Sequence, residues 1–122
     1  MMREKSILIV DDAAFMRMML KRAILGSGEY RITEAENGEK AMELFREQKP
    51  DLVLLDISMP GMSGISVLKE IKKADPASHV VMCSAVGQEM IIREAIEAGA
   101  MDFIVKPFKP EQIAQVLAHV FS

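Results

Sequence analysis

The sequence has a single cysteine, Cys83, so neither an internal disulfide nor a metal site built from several thiolates can form. Cys83 lies within an apolar run, where a small buried thiol packs well. No apolar stretch approaches the roughly 20 residues of a membrane span. The N-terminal segment offers only Ser6-Ile7-Leu8-Ile9-Val10 before Asp11 interrupts it, which is too short for a secretory signal. A cytoplasmic location is therefore expected. Positive charge is not in excess: Lys plus Arg number 15 against 18 Asp plus Glu, a net charge of −3. That balance argues against a surface built for nucleic acid or anionic lipid. Neither a Gly-x-x-x-x-Gly-Lys loop nor a Gly-x-Gly-x-x-Gly fingerprint occurs, which sets aside the common nucleotide and flavin binders. Linkers, low-complexity tracts and internal repeats are also missing, and the length suits one domain spanning residues 1–122.

What is present is an alternation of short apolar runs with longer amphipathic ones. Half of the residues are hydrophobic, enough for a proper core. Ile7–Val10, Leu52–Leu55 and Val80–Cys83 are continuous apolar runs, the pattern of strands covered on both faces. Tyr30–Ala35 and Met101–Val105 are more mixed, as edge strands are. Between them lie helical spacings. Met16, Met19, Leu20, Ala23 and Ile24 form one apolar stripe, with Arg17, Lys21 and Arg22 on the other face and Gly26 as a stop. Asn37 can cap the helix carrying Ala41, Leu44 and Phe45. Ser63-Gly64 introduces Ile65, Leu68 and Ile71, and Gly87-Gln88 introduces Ile92, Ala95 and Ile96. Pro110 is placed as the first residue of a helix carrying Ile113, Val116, Leu117 and Val120. Most methionines, Met42 and Met82 among them, fall on apolar faces and read as core filler. Five strand-helix units imply an α/β fold, a doubly wound parallel sheet with helices on both faces.

Every strand of a parallel sheet ends at the same edge, where ligands bind. The first strand ends in Asp11-Asp12, the third in Asp56, the fourth in Ser84 and the fifth in Lys106-Pro107. One such Asp is commonly a cap or turn residue; the set is better explained as a site. Carboxylates a few ångströms apart repel by roughly 3–4 kcal/mol per pair at an effective dielectric near 20. Lys106 offsets only one charge, and the remainder calls for a divalent cation. The available donors are oxygens, since His79 begins the fourth strand at the far end and His119 lies in the last helix, and oxygen donors describe Mg²⁺ rather than Zn²⁺ or copper. A carboxylate beside such a cation, an ammonium and a hydroxyl is arranged for Asp56 to attack a phosphoryl group, with Ser84 able to donate to the same oxygens.

These residues resemble the receiver domains of two-component response regulators, and among them the single-domain chemotaxis receivers. The likeness spans essentially the whole chain. It rests on Asp11-Asp12, on Asp56 followed by Met59-Pro60-Gly61 and Gly64, on Ser84-Ala85, and on Lys106-Pro107-Phe108. The resemblance implies a CheY-like, flavodoxin-like sheet of order 2-1-3-4-5 with five helices. It implies that Asp56 accepts phosphate from a histidine kinase, and that Asp11, Asp12, Asp56 and the Ser58 carbonyl hold Mg²⁺. Lys106 would then pair with the phosphoryl group, Ser84 would swing in to bond it, and Phe103 would be the aromatic switch that turns inward in response. The Lys106-Pro107 bond would be cis, with Pro107 aiming Lys106 at the site. Ser84 stands where Thr is commoner in that family, and Phe103 lacks the hydroxyl of a Tyr.

The function expected is a monomeric switch, not an enzyme acting on outside substrates, that signals through the face of the fourth helix, fifth strand and fifth helix. With no output domain after Ser122, the message leaves by protein contact. The partners implied are a chemotaxis-type histidine kinase, the flagellar motor switch protein and a dedicated phosphatase. Ser58 and Val86, by admitting water, would set the phosphate lifetime. Two other readings stand beside this one: a stand-alone receiver of the phosphorelay or sporulation type, and a phosphatase with an aspartyl nucleophile. The second lacks the Asp-x-Asp motif and cap domain of such enzymes.

Overall fold

A strand that is apolar at every position satisfies its side chains only when layers cover both of its faces. The computed structural model, which describes residues 4–85 and 87–121, meets that demand at the centre of its sheet. β1 (Ser6–Val10), β3 (Leu52–Leu55) and β4 (Val80–Ser84) are buried at every residue. β2 (Arg31–Ala35) and β5 (Asp102–Val105) carry mixed burial and form the edges. All pairings are parallel, in the order β2-β1-β3-β4-β5, the order expected from the resemblance.

Side-chain alternation splits the core into two layers. Leu8, Val10, Val53, Leu55, Val80 and Met82 meet α2 (Gly38–Gln48), α3 (Gly64–Ala74) and α4 (Glu89–Glu97) through residues such as Phe45, Leu68 and Ala95. Ile7, Ile9, Leu52, Leu54, Val81 and Cys83 meet α1 (Ala14–Leu25) and α5 (Pro110–Val120) through Leu20, Ile24, Ile113 and Leu117. Each large aliphatic side chain so buried contributes about 1.5–3 kcal/mol. Helix starts follow their capping chemistry. Asn37 Oδ1 accepts the Lys40 N–H at 2.8 Å, Ser63 Oγ accepts that of Ser66 at 3.3 Å, and Pro110 opens α5. Among the described residues no helix is long and apolar enough to cross a membrane.

Two sequence expectations need correction. Both edge strands are one residue shorter than the apolar pattern suggested, since Tyr30 and Met101 precede them. In α1 only Leu20 and Ile24 of the apolar stripe are buried, Met19 is 37% exposed, and the Arg17 side chain is only 16% exposed. The first turns of α1 run past the end of β1, where the Asp11 carbonyl and the Glu34 carboxylate draw the Arg17 guanidinium inward.

Candidate functional site

From β1 the chain crosses to β2 on one side and later to β3 on the other, so the crevice opens between the ends of β1 and β3. Ladder hydrogen bonds run one residue past the strands and fix what reaches that crevice. The Asp11 N–H donates to the Ala35 carbonyl at 3.1 Å, that of Asp56 to Val10 at 2.9 Å, and that of Lys106 to Ser84 at 2.9 Å. Residues 11, 56, 84 and 106, remote in sequence, are thereby held on one rim. Asp56 is also pressed from the far side. A Cβ on Gly64, the first residue of α3, would lie 1.9 Å from the Asp56 carbonyl oxygen, so only glycine lets the helix start so close.

The side chains converge. Lys106 Nζ lies 2.5 Å from Asp11 Oδ2 and 3.7 Å from Asp56 Oδ2. Asp56 Oδ1 accepts the Ile57 N–H at 2.8 Å, and Ser84, fully buried, hydrogen-bonds the same carboxyl. Asp11 Oδ1 accepts the Ala13 N–H at 2.9 Å, closing the turn into α1. Asp12 is exposed and lines a cleft of about 390 Å³ with Asn37, Gly38 and Gly61. One carboxylate oxygen from each of Asp11, Asp12 and Asp56 falls within 4.8 Å of the others.

Burial raises the Asp56 pKa above its ordinary value, and the Asp11 charge adds to this; Lys106, Ser84 and the Ile57 N–H pull the other way without cancelling it. Burial alone would lower Lys106, but the hydrogen bond it donates to Asp11 and the nearby charges of Asp56 and Asp11 outweigh it and leave the ammonium firmer than usual. Cys83, behind the rim, is pushed up to about 11, chiefly by burial, and stays a neutral core thiol. An oxygen-only cluster with more negative than positive charge and one side open to solvent suits a hard divalent cation that keeps water ligands. The residues present therefore fit Mg²⁺.

The remaining residues singled out from sequence are placed as follows. Ser58 is exposed, two residues past Asp56. Phe103 is partly buried on β5, in register with Met82 and packed on the core. The Lys106-Pro107 bond is cis. His79 precedes β4 at the opposite end of the sheet, and Val86 lies outside the described residues. Arg17 is the site neighbour that sequence reasoning missed. It donates to the Asp11 carbonyl at 2.6 Å, and a basic residue on a helix face assigned to solvent carries no sign of that.

A parallel sheet whose strand ends bring together acids, a lysine and a hydroxyl defines a class, and residues 7–118 match the response regulator receiver domain family. The chain belongs to that family and is a response regulator receiver. The chemotaxis protein CheY of Thermotoga maritima is 53% identical to it over 116 residues, covering 95% of this chain and 97% of that one. CheY of Bacillus subtilis is 52% identical over 111 residues, covering 91% and 92%. The fold matches that in a CheX-CheY complex with BeF₃ and Mg²⁺ from Borrelia burgdorferi at a TM-score of 0.92, with 35% identity over 97% of this chain and 90% of the other.

Proposed function

We propose that this receiver takes one phosphoryl group on Asp56 from the phosphohistidine of a chemotaxis-type kinase, and signals by protein contact to the flagellar motor switch. The observation that carries the reading is the convergence of Lys106 on Asp11 and Asp56 beside a third carboxylate. Asp56 Oδ1 is held by the Ile57 N–H, which leaves Oδ2, facing Lys106, as the attacking atom. The new O–P bond forms as the P–N bond of the donor breaks, and the electron pair returns to the imidazole. Mg²⁺ held by Asp11, Asp12, Asp56 and the Ser58 carbonyl would neutralise charge on the phosphoryl oxygens. Lys106 pairs with one of those oxygens, for which it must loosen its contact with Asp11. Ser84 turns its hydroxyl from the carboxyl to the phosphoryl group, and Phe103 moves inward into the space this opens.

The acceptor is part of the chain, so each molecule takes up one group, loses it by hydrolysis in place and turns over no outside substrate. The chain works as a single cytoplasmic receiver unit, read through α4, β5 and α5. That the Borrelia relative is found with CheX supports control by a separate protein partner, such as a dedicated phosphatase.

A labelled small phosphodonor with Mg²⁺ tests the chemistry. About one phosphate per chain is expected on the parent and background on Asp56→Asn; equal uptake by the variant would overturn the reading. Release of phosphate well beyond stoichiometry from a phosphorylated metabolite would favour a phosphatase. Capture by a motor-switch peptide only after phosphorylation is expected, and its failure would favour a phosphorelay role.

A further inference from the structure

Arg17 makes two directed bonds from the first turn of α1. Its Nη1 donates to the Asp11 carbonyl at 2.6 Å, and its Nε donates to Glu34 Oε1 at 3.0 Å. Glu34 sits on β2 opposite Ile9 and is itself 3.8 Å from Lys21 Nζ through its other oxygen. We propose that Arg17 is a positioning residue for the divalent-cation site, setting the aim of the Asp12 carboxylate by fixing the Asp11-Asp12 peptide. The inference rests on the reading that Asp11 and Asp12 hold Mg²⁺.

Asp11 is fixed at its N–H by the Ala35 carbonyl, at Oδ1 by the Ala13 N–H, and at its carbonyl by Arg17. The first two bonds seat the residue against β2 and close the turn. The third sets the rotation of the peptide that leads to Asp12, whose exposed side chain has no comparable hold of its own among the hydrogen bonds described above. A planar guanidinium suits this task because its fixed fork reaches two acceptors at once, one just past the end of β1 and one on β2; an ammonium is a single point charge. Groups that orient metal ligands in this way typically govern affinity about tenfold or more.

Charge and position predict opposite signs, which makes the proposal decidable. Arg17 is a cation beside a cation site, so by Coulomb's law alone its removal would tighten Mg²⁺ binding. By position its removal weakens it. Calorimetric titration of the full chain with MgCl₂ reads the sign, and amide hydrogen exchange at Ala13 in the metal-free protein reads the turn directly. Arg17→Met is expected to bind Mg²⁺ about tenfold more weakly and to exchange faster at Ala13. Arg17→Lys, which keeps the charge, should show the same losses, whereas Glu34→Gln, which keeps an acceptor, should stay within about twofold of the parent. Equal or tighter binding by Arg17→Met, or unchanged Ala13 protection, would overturn the proposal. Should Arg17→Met fail to fold, Arg17→Lys decides alone. A parent that takes up no Mg²⁺ sinks the metal reading itself, which is distinct from a parent that binds and a variant that binds equally well.

Discussion

Asp56 is both the acceptor proposed for the phosphoryl group and a strained guest in its own fold. Its carboxyl is held above the ordinary range first by burial and then by Asp11, against the pull of Lys106. A carboxyl with a higher pKa folded than unfolded binds more protons in the folded state, so stability falls as pH rises from below 3.8 through the folded value. Asp56→Asn keeps the size and the acceptor for the Ile57 N–H while removing the charge. In chelator-treated protein its Tm should exceed that of the parent by a few degrees at pH 7, and the gain should vanish near pH 3, where Asp56 is protonated in both states. Thermal scans across that range check this, and a variant no more stable than the parent at pH 7 would contradict it. Lys106 has the same sign at a higher window: its raised pKa gives stability fully present below 10.5 and lost as pH climbs through the higher folded value, so at pH 7 the ammonium still contributes what the carboxylate has already lost. The same buried pair thus makes the site costly through its acid and supportive through its base.

At the scale of elements, the start of α3 and the end of β3 are one mechanical unit. A methyl at Gly64 would meet the Asp56 carbonyl oxygen at 1.9 Å and Ile57 Cα at 2.6 Å, backbone atoms that no rotamer change relieves. Gly64→Ala should therefore cost about 2 kcal/mol or more in urea unfolding and also reduce phosphoryl uptake, because the atoms displaced belong to Asp56. Loss of stability with full uptake would show that the helix start and the acceptor are separable. The sheet was legible in the sequence because its signals are local: uninterrupted apolar runs such as Leu52–Leu55 and the polar residues that stop them. The rim follows from these, since Asp11, Asp56, Ser84 and Lys106 each stand at or just past a strand end. Gly64 read only as part of a helix start because its true neighbour, a backbone oxygen, has no letter in the sequence. Arg17 and Met19 were misplaced for a related reason. Helical spacing assigns faces as if α1 were covered along its whole length, whereas its first turns overhang polar groups at the end of β1 and on β2.

The site exists only in the assembled molecule, since its acids, lysine and hydroxyl lie at or just past the ends of β1, β3, β4 and β5 and meet only when the whole sheet has formed. A cation that binds this cluster binds the folded state alone, and so stabilises the entire chain by RT ln(1 + [L]/Kd), about 2.7 kcal/mol at a hundredfold excess over Kd. Screening of the net charge of −3 by added salt is a competing source of stability, but it acts equally through any electrolyte. Asp12 separates the two. It is exposed, so Asp12→Ala should leave the Tm of the chelator-treated protein nearly unchanged, within about 0.5 kcal/mol in stability. It removes one of three converging carboxylates, however, and should abolish most of the rise that MgCl₂ gives the parent. Melting curves in chelator, in MgCl₂ and in NaCl of equal ionic strength distinguish the cases. A parent stabilised as much by NaCl as by MgCl₂, or an Asp12→Ala protein that keeps the full gain, would mean that the acids at the sheet edge repel one another without gathering a metal.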